Sequence, residues 1–534
     1  IYGSRGANGV VIITTKKGQQ GKGSLGYDYS LGISTLSKKY DLLQPAEFLS
    51  AYAKFNGAQA AADLDGGAKT DWQDEIFRTA MTHSHNLSFG GGDQSGDYRF
   101  SVGYQNQEGI VNESAMQRFT ARFNGSRKFI NDRLTIGTQV TVANTHDDNS
   151  PLSNNAGFEG DLLGAALKSN PTSPIRVRDT ITGKMILNQI SKNEPNPVAM
   201  IELSKDFTKT LRTLGNLSAE LKIVEGLSFK TVLGFDQSMS ARKTAYSRDL
   251  FLNSTDKKGR LYYNDIESNN QLWENYFTYN KGFGSTNLTA LLGYSYQNFD
   301  YSTKSIEMTN FTTSDLDLMI NNVASADQSS GKQSIVARNS SNSIDELQSY
   351  FGRVNLGIRD RYLFTATLRA DGSTRFGGDN KYGYFPAVAF KWRLIEESFV
   401  PDAFSDLGLR LGYGVTGNQE IPHNLYERRQ RYGDWDINNE GNIGGGGLGD
   451  VAFENRGLKW ESTTQINVGI DFAFAKGRVS GSLDLYNKNT NDLLIQVVSA
   501  QPASQPFVWK NLDADVINQG VELSLNLAAV DSKD

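Results

Sequence analysis

The glycine pattern of residues 21–26, GKGSLG, has the spacing of a dinucleotide-binding loop. Such a loop needs a helix directly after it, because the helix N-terminus holds the pyrophosphate. Residues 24–34 instead alternate apolar and polar side chains, which predicts a β-strand. The glycine pattern therefore does not predict a nucleotide site.

Two further motifs contain residue types that bind metal ions. His83 and His85 would project to the same side of a strand, but no other histidine has a ligand spacing to them. The segment DLDGG, residues 63–67, is similar to a calcium loop, yet Gly67 and Asp74 stand where acidic ligands and a bidentate glutamate belong. We predict surface histidines, a polar turn and no cofactor; calcium in the loops stays open without a motif to support it.

Nucleophilic catalysis also lacks support in this sequence. The chain has no cysteine, only four histidines and no Gly-x-Ser-x-Gly motif. Adjacent carboxylates such as Asp147 and Asp148 point to opposite sides of an extended chain, so they cannot act on one bond. The net charge of -5 and the absence of a basic run disfavour nucleic acid as a partner. The sequence therefore predicts a protein that is not an enzyme.

Aromatic side chains in polar connecting segments are the remaining candidates for ligand binding. On an external surface they could stack on a sugar or a peptide. Packing of the loops against one another is an equally good explanation for each of them. The candidates are Trp72, Tyr262, Tyr263, Tyr426, Tyr432 and Trp435.

The elements that position these residues are strands, since apolar and polar residues alternate in about sixteen segments along the chain. Most segments approach the length of roughly 9–11 residues that crosses a bilayer at a tilt. A mean hydropathy of -0.46 agrees with this, because only alternate residues of such strands face lipid. Aromatic residues near the predicted strand ends are typical of interfacial girdles: Tyr104, Tyr279, Tyr294, Tyr296, Trp392 and Tyr413.

Tight and long connections alternate between these strands. This rhythm places short turns at one end of an antiparallel sheet and long loops at the other, as in outer-membrane barrels. The sequence therefore predicts an all-β fold, a transmembrane antiparallel β-barrel, with a soluble β-protein as the alternative. The predicted long connections are 35–83, 146–210, 241–268, 300–345, 416–462 and 489–518.

The opening segment IYGSRGANGVVIITTKKG, residues 1–18, resembles the end of the plug domain in the SusC/RagA-like family of TonB-dependent outer-membrane transporters. Similar signatures follow in order, among them RADGSTRFGGDNKYGYFPAVAFKW from residue 369, LKWESTTQINVGIDFAF from residue 458 and LYNKNTNDLL from residue 485. The resemblance implies a barrel of 22 strands closed by a plug, in agreement with the rule that wide barrels are plugged. It predicts the end of a plug domain and a linker at residues 1–23, and an incomplete barrel with long extracellular loops at residues 24–534. The plug-end signature, with a structural or gating role, comprises Gly3, Arg5, Gly6, Asn8 and Gly9.

The resemblance also implies a function. Members import oligosaccharides, peptides or other nutrients across the outer membrane of Gram-negative bacteria, with a SusD-like surface lipoprotein as a lid. Energy comes from the TonB complex, which contacts the N-terminal region. We expect the signal peptide, that region, most of the plug and about six final strands to lie outside this sequence.

Two alternatives stay open beside the importer. They are a passive porin or adhesin, and a soluble carbohydrate-binding β-protein. Pairing of the strand near Ser24 with the strand near Gly520 in a closed barrel of sixteen strands would favour the porin.

Overall fold

The structure of the chain is a computed structural model. It describes residues 21–152, 161–189, 194–252, 258–326, 335–432, 448–500 and 506–528, together with residues 6, 16 and 18. Within these residues, no helix combines the length and the apolar character that crossing a bilayer demands.

The main element is a single antiparallel sheet of sixteen strands, the number that the sequence pattern predicts. Strands adjacent in the sheet follow one another in the chain, apart from short strands in the loops. The sheet strands are β1 (Gly21–Ser34), β2 (Ala80–Gly92), β3 (Gly96–Glu108), β4 (Ala115–Phe129), β5 (Leu134–Asp148), β8 (Ser204–Val224), β9 (Leu227–Tyr246), β10 (Arg260–Phe283), β11 (Thr286–Thr309), β12 (Ile335–Ile358), β13 (Tyr362–Ser373), β14 (Tyr382–Trp392), β15 (Phe404–Asn418), β18 (Glu461–Phe474), β19 (Val479–Asn491) and β22 (Val516–Leu527).

The remaining elements lie in the connections. Three two-stranded ribbons pair β6 (Arg176–Arg178) with β7 (Met185–Leu187), β16 (Arg429–Tyr432) with β17 (Leu448–Ala452), and β20 (Leu493–Val498) with β21 (Phe507–Leu512). The helices of the described residues are α1 (Pro45–Asn56), α2 (Ala58–Leu64), α3 (Trp72–Ile76), α4 (Leu162–Lys168), α5 (Pro197–Glu202) and α6 (Leu316–Asn321).

Side-chain alternation gives the sheet an apolar face and a polar face. On β14, Tyr384, Val388 and Trp392 share the apolar face, and Val388 is 53% exposed there. The nine residues from Tyr384 to Trp392 extend about 26 Å along the strand, which at a tilt of about 40° rises about 20 Å, most of an apolar band about 25 Å tall. The register places all six predicted girdle residues on this face.

The two ends of the sheet differ as the sequence predicts. At one, the turn end, short connections contain left-handed residues that close two antiparallel strands tightly: φ is 51° at Asn131, 54° at Asp360 and 58° at Lys476. At the other, the loop end, the long connections contain the helices α1 to α6 and all three ribbons. The apolar cores also lie among these loops, because neither sheet face is covered by a second layer.

Strand length departs from the prediction in the middle of the sheet. β10, β11 and β12 each have 24 residues, so the connections that join them are shorter than the sequence predicts. Near the loop end, polar residues such as Asp265, Asn269 and Asp300 lie on the same face of the sheet that is apolar nearer the turn end. The alternation that reveals a strand is lost there, whereas backbone pairing continues.

The outermost strands leave the sheet open. β1 pairs with β2, and β22 pairs with β19, but β1 and β22 do not pair with each other in the described residues. The closed barrel of sixteen strands that would favour a porin is therefore absent from this structure.

Candidate functional site

A concave site lies on the polar face at the loop end, and we call it the mouth cleft. Its volume is about 960 Å³. It is formed by β15, β18, β19 and β22 together with β11, β12, the end of β13 and the loop after β13. Its lining includes Phe299, Asp345, Leu347, Arg375, Asn418, Glu420, Glu461, Thr463, Gln465, Asn467, Tyr486, Lys488, Thr490, Asn518 and Glu522.

Arg375 fixes one side of the mouth cleft. Its Nε lies 3.3 Å from a carboxylate oxygen of Asp345, and its Nη1 donates to Glu420 at 3.1 Å and to the Gln419 carbonyl at 3.2 Å. These bonds join the loop after β13 to β12 and to the loop after β15. The guanidinium thus holds three segments at the rim.

Strands β18 and β19 form the opposite side. Glu461 accepts hydrogen bonds from the Asn418 side chain and from the Leu494 backbone, both at 3.0 Å. The Tyr486 ring lies over the backbone of Gly520, which has no side chain to displace it. Beside it, Lys488 and Glu522 point to the same face of the sheet.

The chemistry of the mouth cleft is that of binding. Amides, hydroxyls, both signs of charge and one tyrosine ring can contact a polar ligand with several groups at once. No histidine lines the cleft. In the described part of the chain, no group of three or more histidine or acidic residues is arranged to hold a metal ion.

Trp72 lies outside the cleft, in the core of a loop. The side chain is 5% exposed, packs in a cluster with Ile76, Leu162 and Met200, and donates from its indole nitrogen to the Asn170 carbonyl at 2.9 Å. Asp71 caps the short helix α3 that presents it, accepting from the Gln73 backbone at 2.9 Å. Trp72 therefore packs in a loop core and is not placed to contact a ligand, because almost none of its side chain is exposed.

Tyr262 and Tyr263 lie on opposite faces of β10. Tyr262 is on the polar face, where Arg260 donates to its hydroxyl at 2.9 Å. Burial raises the pKa of Tyr246, which lies on the neighbouring strand close to this pair. Tyr263 is on the other face, where its hydroxyl donates to the Ile320 carbonyl and the Lys243 ammonium lies 4.5 Å from its ring centre. Only Tyr262 faces the polar side.

Tyr426 lies in the loop after β15, where its half-buried ring covers Gly377 and leaves no room for a Cβ atom there. Burial raises the pKa of its hydroxyl. Tyr432 ends the backbone of β16, and Trp435 lies outside the described residues. Of the plug-end signature, Gly3, Arg5, Asn8 and Gly9 also lie outside them. The six aromatic candidates therefore do not form one site in the described residues.

The remaining motifs have structural explanations. Residues 21–26 begin β1, as the strand prediction requires. His83 and His85 share the apolar face with Tyr29 and Tyr27, whose hydroxyls lie 3.1 and 2.7 Å from their Nδ1 atoms. In the calcium-like segment, Asp65 accepts from the Gly67 backbone at 2.9 Å, which makes it the predicted polar turn.

Sequence reasoning missed the residues of the mouth cleft, although a signal for them exists. Thr463, Gln465 and Asn467 occupy alternate positions of β18, and Tyr486 and Lys488 do so on β19. The sequence analysis recognised these strands by their apolar positions, and the cleft residues occupy the polar positions between them. Comparing the polar positions of adjacent strands would have predicted a polar wall.

These features define a class of protein: an outer-membrane β-barrel protein whose strands have an apolar, lipid-facing side and a polar side with a cleft at the mouth. The family model "TonB dependent receptor-like, beta-barrel" matches residues 202–530. The chain belongs to this family. The apolar face therefore faces lipid, the polar face lines the lumen, and the loop end is extracellular.

Known relatives agree with this assignment over the whole chain. The TonB-dependent receptor SusC of Bacteroides thetaiotaomicron is 33% identical, with 100% of this chain and 53% of that protein covered. The TonB-dependent receptor P3 of Formosa agariphila is 32% identical, with 100% and 52% covered. The RagAB peptide transporter superposes with a TM-score of 0.84 at 22% identity, covering 100% of this chain and 62% of that one, which supports the fold. The chain spans about half the length of the curated relatives it matches.

Proposed function

We propose that the full-length protein imports a nutrient, an oligosaccharide or a peptide, across the outer membrane with energy from the TonB complex. The observation that carries the proposal is the mouth cleft, a polar site about 960 Å³ in volume at the extracellular end of a polar lumen wall. Ligand binds there, and movement of a plug opens the path below. No covalent bond of the ligand is broken, so the protein acts as a transporter and not as an enzyme.

Two residues of the cleft supply the most specific contacts to the ligand. Tyr486 offers a ring for stacking on a sugar or an aromatic side chain, and Lys488 offers an ammonium on the same face of β19. Tyr262 extends the set along the polar face of β10. The plug-end signature, Gly3, Arg5, Gly6, Asn8 and Gly9, stays assigned to gating by resemblance.

The partners follow from the same family. We propose a SusD-like surface lipoprotein that covers the extracellular mouth, and TonB contact through the N-terminal region of the full-length protein. The helices and ribbons at the loop end provide an ordered surface for the first of these partners. Co-purification from outer membranes tests it: a lipoprotein recovered in equal amount supports the pairing, and its absence contradicts it.

A growth experiment tests the import function. A deletion strain is grown on a panel of glycans and peptides, and is complemented with the full-length gene as wild type, Tyr486→Ala, Lys488→Ala or Lys304→Ala. Lys304 lies on the opposite face of β11 and serves as the matched control. We expect one nutrient to require the gene, with growth reduced by the cleft variants and restored by Lys304→Ala. Growth of the deletion strain that equals wild type on every nutrient would contradict the proposal.

A further inference from the structure

Three arginines on the lumen wall of β3 and β4 form no ion pair within the described residues. Arg99 donates to the Ser88 hydroxyl at 2.9 Å, and Arg118 donates to the Thr145 hydroxyl at 3.2 Å. Arg122 is exposed and has neither a hydrogen-bond partner nor an ion pair within the described chain. Asp97 and Asp147 lie near Arg99 and Arg118 on the same face by register, but form no ion pair with them in the described residues.

Arginines elsewhere on the same wall are compensated. Arg212 pairs with Asp236 at 2.7 Å, and Arg410 lies 2.9 Å from both Asp471 and Asp484. Arg369 pairs with Asp371 in the same way. Arg99, Arg118 and Arg122 differ from these three, because they have no such carboxylate partner in the described residues.

A small cavity lies between two of these arginines, and we call it the arginine notch. Gly103 pairs with Thr120 in the register, midway between Arg118 and Arg122 on β4, and the missing side chain at Gly103 leaves the space open. The notch has a volume of about 200 Å³. Its polar-face lining is Ser84, Asn86, Ser101, Gln105 and Thr120 besides the two arginines, with no carboxylate among the lining residues.

Lys16, which precedes β1, approaches this wall. Its carbonyl accepts a hydrogen bond from Asn124, two positions from Arg122 on the same face of β4. Lys16 is a cationic residue, so this contact brings no carboxylate to the wall.

We propose that the arginine notch binds an anionic substituent, a sulfate ester or a carboxylate, of an imported acidic oligosaccharide. Two guanidinium groups bind such an oxyanion through charge-assisted hydrogen bonds. Hydroxyl and amide side chains around the notch match the hydroxyls of a sugar. The oligosaccharide as cargo rests on the proposed import function; anion binding at the notch does not.

Arginine-selective labelling tests the site on the purified full-length protein in detergent. Phenylglyoxal modification of Arg118 and Arg122 is followed by peptide mass spectrometry with no addition, with inorganic sulfate, with dextran oligosaccharides, with dextran sulfate oligosaccharides of the same length, or with a short glutamate peptide. We expect dextran sulfate to slow the modification of both arginines about tenfold, inorganic sulfate to do so less, and dextran to have no effect. Arg127, on the opposite face of β4, is the internal control and keeps its rate.

Matched variants give a second measurement. The double variant Arg118→Gln, Arg122→Gln should bind dextran sulfate at least about tenfold more weakly, whereas Arg127→Gln should leave binding unchanged. Equal gel mobility of the unheated variants and the wild type checks that the barrel is folded. Equal labelling rates with and without dextran sulfate would overturn the proposal. So would protection without any addition, which would place a carboxylate of the protein in the notch, or protection by the glutamate peptide alone. Failure of import with protection intact would instead contradict only the proposed function.

Discussion

Glu397 shows how one carboxylate fixes a connection at the turn end, just beyond the membrane-spanning part of β14. The side chain accepts from the Trp392 indole at 3.1 Å, from the Tyr362 hydroxyl at 3.0 Å and from Arg361 at 3.1 Å. The hydrogen bond from Trp392 is the largest cause that lowers the pKa of Glu397 below its ordinary value of 4.5. The ionised form is therefore the one that holds the two strand ends together.

The sign of the resulting pH dependence follows from the lowered pKa. Stabilisation by Glu397 is present above pH 4.5 and is lost as the pH falls through the lower pKa of the folded state. We expect Glu397→Gln to flatten the dependence of the melting temperature on pH between about pH 3 and pH 5, in the full-length protein in detergent. The control is Glu396→Gln, since Glu396 is exposed and pairs with Arg393. Identical curves for the two variants would contradict this role.

Single residues are also where sequence reasoning reached its limit. The alternation around His83 and His85 predicts a shared face correctly, because a strand fixes side-chain direction by position alone. Burial of Trp72 was not predictable, since its partners Leu162 and Met200 lie about a hundred residues further along the chain. A loop aromatic residue looks the same in sequence whether it binds a ligand or fills a core.

A network of ion pairs joins four neighbouring strands of the lumen wall. Arg410 on β15 contacts Asp471 on β18 at 2.9 Å and Asp484 on β19 at 2.9 Å, and Lys391 on β14 contacts Asp471 at 2.8 Å. The two carboxylates are 23% and 17% exposed, so solvent screens them only in part. The network fixes the relative positions of strands whose apolar faces contact only lipid.

Removing the arginine from this network should destabilise the wall. We expect Arg410→Leu to lower the free energy of unfolding by about 1–2 kcal/mol, because two half-buried carboxylates lose their shared partner. Urea unfolding of the full-length protein in detergent, without ligand, measures the effect. Arg122→Leu, the same change at an arginine with no carboxylate, should cost about 0.5 kcal/mol or less. Equal losses in the two variants would show that the network contributes no specific stabilisation.

Strands were the most predictable elements, and their ends were the least. The period-two pattern identified all sixteen sheet strands, including β14, where apolar residues recur at every second position. The pattern could not give the length of β10, because residues such as Asp265 and Asn269 are polar above the membrane while pairing persists. Helices such as α3 were missed because five residues are too short for a helical period.

At the scale of the whole molecule, the open edges of β1 and β22 agree with a chain that spans about half of its relatives. Unpaired backbone groups at membrane depth cost several kcal/mol each, so an open sheet edge does not persist in lipid. The full-length protein must pair these edges. In the sequence, the resemblance of the opening segment to the end of a plug predicted that the full-length barrel has further strands. The alternation of apolar and polar residues did not predict it.

The energy source of uptake separates the importer from a passive porin most directly. The measurement is uptake of the required nutrient, in labelled form, by cells that have the full-length gene, with and without a functional inner-membrane TonB complex. We predict that uptake falls to the level of the gene deletion when the TonB complex is lost. Uptake that continues at the wild-type rate without TonB would contradict the central claim.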